Sequence, residues 1–476
     1  MKEPKEYEYN VMDWHYLTVI RLTLQTRTPL SIGQGGDGVF DNLLVTDANG
    51  LAAIPGTSFA GVLRHMFREY SNKETTDELF GNGEDNKASP SRVRVSWGCI
   101  HDQNDQPIEG LLLGHDRERL VKDPLLADAS QDVPLKRDRV RIDHRGTASS
   151  QGQFDRVALR AGHRFSLEIC LWSPSDEKIT QIQLLDLLAD PTFRLGGSTR
   201  GGFGAFEVKR LHHRRFNLKD KTDYSAYCAM GPNLYDVTGF TETKPKLEKE
   251  KAHISIELEP EDFFRFGQGT HPLMTEEDKD PDLLPVTEEI VIWDEQGGRL
   301  SERMLLIPAT AIKGALRHRV AFHYNLLEQT FAEDQDLTAK ENPFDTARNE
   351  GVRALFGFGA GDNDGKPGCV WLDDLFLEPG APSHVMHNGI DRFTGGVREH
   401  VLYAEELVAG PRLAFQLTIS GEGIPQTARQ ALVRALDDLV EGRLALGAGA
   451  ARGHGYFRGS YQWNQTGEAW VKGGTA

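Results

Sequence analysis

Ile54-Pro55-Gly56-Thr57-Ser58-Phe59-Ala60-Gly61-Val62-Leu63-Arg64-His65 returns half a chain later as Ile307-Pro308-Ala309-Thr310-Ala311-Ile312-Lys313-Gly314-Ala315-Leu316-Arg317-His318. Three further pairs keep the same order around it. Leu30-Ser31-Ile32-Gly33-Gln34-Gly35 is echoed by Arg265-Phe266-Gly267-Gln268-Gly269, and Glu78-Leu79-Phe80-Gly81 by Ala354-Leu355-Phe356-Gly357. Leu195-Gly196-Gly197-Ser198-Thr199-Arg200-Gly201-Gly202-Phe203-Gly204 is echoed by Leu446-Gly447-Ala448-Gly449-Ala450-Ala451-Arg452-Gly453-His454-Gly455. Collinear matches of this kind make the chain a duplication, so a reading of one copy is a reading of both.

Each copy opens with a strand: Ile20, Leu22 and Leu24 in the first, Ile254, Ile256 and Leu258 in the second, alternate with polar residues at period two. After Ile-Pro, the spacing of Phe59, Val62, Leu63, Met66, Phe67 and Tyr70 predicts a helix capped by Thr57 or Ser58. A second strand and helix follow: Phe165, Leu167, Ile169, Leu171 then Ile182, Leu185, Leu188; and Leu413, Phe415, Leu417, Ile419 then Leu432, Leu436, Leu439. This repeated βα logic predicts an α+β class: two tandem ferredoxin-like (RRM-like, βαββαβ) domains with helices on one sheet face and long loop insertions. The expected boundaries are 1–215 and 251–476, with 216–250 a solvated linker ending in Lys244-Pro245-Lys246-Leu247-Glu248-Lys249-Glu250.

Bulk properties narrow the class. A chain of 476 residues exceeds one core, and 39% hydrophobic with 26% charged residues is the composition of a folded soluble protein. No run approaches the roughly 18 apolar residues of a membrane span, and Met1-Lys2-Glu3-Pro4-Lys5-Glu6 lacks a signal-peptide core, so a cytoplasmic location is expected. Cys99, Cys170, Cys228 and Cys369 are widely spaced and read as buried thiols. A net charge of -17 argues against indiscriminate nucleic-acid binding, which needs a dense basic surface, and leaves room only for local basic grooves.

Several segments carry candidate chemistry, each with a plainer alternative. The glycine loops let backbone amides approach a phosphate beside Arg200 or Arg452, or they are tight structural turns. The helix starts bearing Thr57 and Ser58, or Thr310 and Lys313, with Arg64 and Arg317 further on, hold phosphates or are ordinary capped helices. Lys136-Arg137-Asp138-Arg139-Val140-Arg141-Ile142-Asp143-His144-Arg145, followed by a polar stretch to Phe154, is the densest basic tract. Its counterpart runs from Asn388 through Arg392 and Phe393 to Arg398. Basic groups around an apolar tip suit RNA, gripping phosphates and wedging between bases, although a solvated hairpin reads the same way. Asp41, in a glycine-flexible loop, is placed to hold a divalent ion or orient a ribose hydroxyl, or to form a turn. Glu288 occupies the equivalent place in the second copy. His384 and His387 lack a neighbouring acid or further ligand in sequence, so no zinc site is expected there; Asp362-Asn363-Asp364-Gly365 lacks a closing glutamate and reads as a turn.

Together these residues resemble the RAMP superfamily, most closely the crRNA-binding backbone subunits of type III CRISPR effector complexes, and the fusion of two copies resembles the double-backbone subunit of type III-D-like complexes. The resemblance implies that each copy grips crRNA while a thumb loop displaces one base pair of the guide–target duplex. It implies an endoribonuclease role for Asp41, with magnesium as the expected divalent metal, cutting target RNA beside the displaced nucleotide. Phe40-Asp41-Asn42-Leu43 departs from the family's isoleucine–aspartate–serine–proline context, and the second half substitutes Glu288, so one active site per chain is expected. The implied RNA contacts are Thr57, Ser58, Arg64, Arg137, Arg139, Arg141, His144, Arg145, Arg200, Thr310, Lys313, Arg317, Arg392, Arg398 and Arg452. The implied partners are crRNA, target RNA and other subunits of the complex, with no membrane. The alternatives are a non-catalytic scaffold, and a crRNA-processing relative using His454 as general base.

Overall fold

The computed structural model describes residues 14–33, 43–83, 88–130, 135–143, 146–175, 183–247, 249–274, 281–334, 348–359 and 365–474. The first half runs β1 (Tyr16–Thr26), α1 (Gly56–Tyr70), β2 (Val93–Val95), a hairpin of β3 (Leu135–Ile142) and β4 (Ala148–Ala158), β5 (Arg164–Ser173) and β6 (Phe206–Asn217). After α2 (Lys221–Cys228) and β7 (Thr241–Glu242), the second half begins with β8 (Ala252–Pro260). A small hairpin of β9 (Val291–Asp294) and β10 (Gly297–Leu300), then α3 (Ala309–Leu327) and β11 (Val370–Trp371), lead to a second long hairpin, β12 (Ala381–His387) and β13 (Tyr403–Ala409). β14 (Leu413–Ile419), α4 (Gln426–Val440) and β15 (Phe457–Trp463) complete it.

The two main sheets have the same order. They read β2-β5-β1-β6 and β11-β14-β8-β15, every pair antiparallel, with the opening strand central in each. The alternating residues meet as the period predicts: Ile20 pairs with Ile169, and Ile256 with Phe415. All are buried under the helices, together with Phe59, Leu63 and Phe67 in the first half and Leu432, Leu436 and Leu439 in the second. Each such Leu, Ile or Phe contributes roughly 1.5–3 kcal/mol by leaving water. The α+β class therefore holds. Leu185 and Leu188 are buried as expected, while Ile182 lies outside the described residues.

Three expectations are corrected. Pro55 and Pro308, not Thr57 or Ser58, stand at the helix caps, so the hydroxyls lie inside the first turn and cap nothing. Most of the segment expected to be a linker is folded onto the first sheet. Leu17 and Val19 leave the outer face of β1 apolar, and Phe216, Leu218, Tyr227, Met230 and Phe240 cover it, with β7 paired to β6. Cys228 is exposed, and all four cysteines are free thiols.

The halves are joined by more than the chain. The β9–β10 hairpin reaches onto the first half, where Val291 N–H donates to Ala161 O (2.8 Å), Gly298 N–H to Gln103 O (2.7 Å) and Trp293 Nε1 to Gly162 O (2.8 Å). Arg164 lies 4.1 Å over the Trp293 ring. Among the described residues no helix is long and apolar enough to cross a membrane.

Candidate nucleic-acid interface

The glycine loops repeat atom for atom in their anchoring. Leu195 N–H donates to Gly204 O (3.0 Å) and Gly197 N–H to Ser31 O (2.7 Å); Leu446 N–H donates to Gly455 O (2.8 Å) and Ala448 N–H to Arg265 O (2.8 Å). Both loops pass through left-handed backbone at matched positions: φ is 80° and 85° at Gly196 and Gly447, 99° and 86° at Gly202 and Gly453. A Cβ at Gly196 or Gly447 would strike the carbonyl of Ser31 or Arg265. Glycine is required there because the loop is clamped onto the backbone of the segment that follows the opening β-strand. The next residues in the first copy, Gly33 and Leu44, form a β-bridge that brackets the loop containing Asp41. Asp41 itself lies outside the described residues, as do His144 and Arg145.

The loops differ in what they face. In the first copy the loop docks on the start of α3: a Cβ at Gly202 would lie 2.6 Å from Ala309 Cβ, and one at Gly201 would lie 3.4 Å from Thr310 Cγ2. Arg200 stacks 4.0 Å over Trp371 and its Nε donates to Gly368 O (2.5 Å). Lys313 Nζ donates to Arg200 O (2.6 Å) and Val370 O (2.8 Å); burial, then the charges of Arg200 and Arg194, pulls its ammonium down to about 7. Asp374 accepts from Ala309 N–H (2.8 Å), doing the capping that the local sequence leaves undone. Arg200 and Lys313 are therefore engaged at the junction between the copies, and Thr310 lies beside it, half-buried. A Cβ at Gly453 would meet nothing within 4 Å, and Thr57, at the first helix start, is exposed. Ser58 is half-buried, and Arg64 pairs with Asp77 at 2.7 Å with its side chain 44% exposed. Arg317 is half-buried on α3.

The basic tract is a hairpin graded from core to solvent. Arg137, at its base, is buried: its Nη2 donates to Glu288 at 2.6 Å, its Nε also reaches Glu288, and its Nη1 reaches Asp374. Burial opposes its charge, but the Asp374 and Glu288 carboxylates more than offset this and raise its pKa. This corrects the expectation for Arg137, which has no free guanidinium for RNA, and the carboxylate of Glu288 is taken up in the same ion pair. Arg139 donates to Ser198 Oγ (2.7 Å) and lies 4.5 Å over Phe203, tying the hairpin to its own glycine loop; burial lowers it to about 10. Beyond it Arg141 is exposed, flanked by exposed Val140 and Ile142, with exposed Phe154 opposite Arg139.

The second hairpin carries the same composition at its tip. Asp391 Oδ1 accepts from the N–H groups of Phe393 (3.0 Å) and Thr394 (2.8 Å), closing a turn that leaves Phe393 91% exposed. Arg392 and Arg398 flank it, both exposed, with Ile390 and Val397 alongside. At the hairpin's foot Glu405, fully buried, accepts from Arg265 Nε (2.8 Å), Arg452 Nη2 (2.7 Å) and His387 Nε2 (2.9 Å). Burial alone would raise its pKa, and the two arginines hold it below the usual range. Arg452 keeps 37% of its side chain in solvent. Asp374, Trp371 and Glu405 were not legible as site residues, since nothing local marks a buried side chain whose partners lie on other elements, such as Arg137 for Asp374 and Arg265 for Glu405.

Residues 23–207 and 265–458 each match the family model of the RAMP superfamily, and these two regions are the two copies described above. The chain belongs to the RAMP superfamily. Membership supports a CRISPR-associated, RNA-binding role, and RAMP proteins act in multi-subunit complexes. No curated protein matches the chain. In this RAMP protein the candidate residues that keep solvent exposure are Thr57, Arg141, Arg392, Arg398 and Arg452, with Ser58 and Arg64 half-buried.

Proposed function

We propose that this RAMP protein is a crRNA-binding backbone subunit of a type III CRISPR effector complex, built from two fused ferredoxin-like domains. The strand order, which places the opening strand between the third and fourth strands of each sheet, supports the ferredoxin-like reading. The observation that carries the functional reading is the pairing, in each copy, of a glycine loop with a hairpin whose tip combines arginine and exposed apolar residues. Arginine grips phosphates, while Val140 and Ile142 towards one tip and Phe393 on the other suit insertion beside an unstacked base. Fusion holds the second unit at high effective concentration once the first is seated. Asp41 is assigned magnesium-dependent cleavage of target RNA; the reading is supported by the described residues on either side of it in the chain, since Gly33 and Leu44 form a β-bridge and Ser31 accepts from Gly197 of the glycine loop that Arg139 ties to the hairpin.

The test is cleavage of matched target RNA by the assembled complex with magnesium, compared with the same complex carrying Asp41→Ala. Loss of cutting with intact guide binding supports the assignment. Unchanged cutting removes Asp41 from the mechanism and leaves a scaffold.

A further inference from the structure

We propose a divalent-metal site of the Zn2+ class at the foot of the second hairpin, held by His387, Glu405 and His454. The sequence shows only a histidine pair with no third ligand, but the fold supplies two. His387 comes from β12, Glu405 from β13 and His454 from the glycine loop, and one ligand atom of each lies within 4.8 Å of the others. A tetrahedral ion with bonds of about 2.0–2.1 Å sets its ligand atoms roughly 3.3 Å apart, so a small closure of side chains completes the set.

His454 gives an independent reason. Its Nδ1 is enclosed without any hydrogen-bond partner, a costly arrangement for a polar atom unless something takes its lone pair. Nor does the loop need a histidine for packing. The first copy has Phe203 at this position, with the guanidiniums of Arg137 and Arg139 at 5.0 and 4.5 Å from its ring. Where the first copy stacks cations on an aromatic ring, the second offers two imidazoles and a carboxylate.

That donor set suits Zn2+ and leaves a fourth position for water. Arg265, on Glu405 Oε1, orients the carboxylate as an outer-shell partner does. Oε2 faces His387 and presently also takes Arg452, so a bound ion takes the place of that guanidinium. Occupancy would pin hairpin, strand and glycine loop together through bonds that salt does not screen.

The experiment is calorimetric titration of the chelator-stripped full-length protein with Zn2+ alone, repeated for His387→Gln and His454→Phe. The glutamine keeps a donor to Glu405, and phenylalanine is the first copy's own residue, so both changes preserve packing. One equivalent is expected to bind wild type, and binding in each variant to weaken more than about 100-fold while the unfolding midpoints of the stripped proteins stay alike. Visible bands from bound Co2+ should appear in wild type and vanish in both variants. Absence of binding by wild type, or binding as tight in the variants, would overturn the site.

Discussion

Arg137, on the hairpin of the first copy, and Glu288, in the second, form a buried two-point ion pair, with Nη2 2.6 Å from Oε2 and both side chains less than a tenth exposed. Asp374 completes the site from a third direction. A basic residue that the RNA-binding reading would spend on phosphate is thus a bolt between the halves. Because both charges are desolvated, removing one strands the other.

Arg137→Met or Glu288→Gln should destabilise the fold by about 3–5 kcal/mol. Denaturant midpoints check this. The double variant is expected to lose less than the sum of the two, which is the signature of coupled sites.

The glycine loops offer an internally controlled comparison. Gly202→Ala imposes a Cβ at φ 99° and drives it into Ala309, whereas Gly453→Ala imposes the same strain at φ 86° facing open space. Strain alone costs about 1–3 kcal/mol at either position. The Gly202 variant should lose roughly 1–3 kcal/mol more through overpacking at the junction, seen as a lower thermal midpoint.

Stability should depend on pH through Lys313. Its ammonium is lowered in the fold to about 7, while an unfolded lysine titrates near its ordinary, higher pKa. Between those values the unfolded chain binds more protons, so this group makes the fold more stable as pH rises through that window, by at most about 1.4 kcal/mol per unit. Below the lowered value the penalty of the buried charge is fully present. Lys313→Met should flatten the rise; an identical pH profile in unfolding midpoints for the variant and wild type would contradict the assignment.

Phe393→Ala tests the second hairpin tip. With 91% of the ring in solvent, the change should leave the midpoint within about 0.5 kcal/mol. RNA affinity should fall by about 1–3 kcal/mol if the ring stacks on a base, measured by titration of the assembled complex at fixed salt.

The duplication and the sheet were legible because they rest on local pattern: Ile20, Leu22 and Leu24 alternate, and the glycine loops match residue for residue. What escaped the sequence depends on distant partners. Arg137, Arg139 and Arg141 look alike in a charge run, yet they go from buried to exposed along one hairpin because Glu288 and Asp374 wait at its base. Glu405 and Glu406 are adjacent and both fully buried, which period-two alternation would not allow without His387, Arg265 and Arg452 on one carboxylate and the Leu273 and Met274 amides on the other. The stretch covering Leu17 and Val19 lacks periodicity because it packs through scattered contacts, and so it reads as linker.

The central claim is that two equivalent hairpins meet one guide strand at successive places. Photoreactive groups at positions 140 and 393, irradiated in the assembled complex, test it most directly. The account predicts crosslinks from both tips to the same crRNA, separated by a fixed number of nucleotides; crosslinks from one tip alone, or from the two tips to unrelated strands, would contradict it.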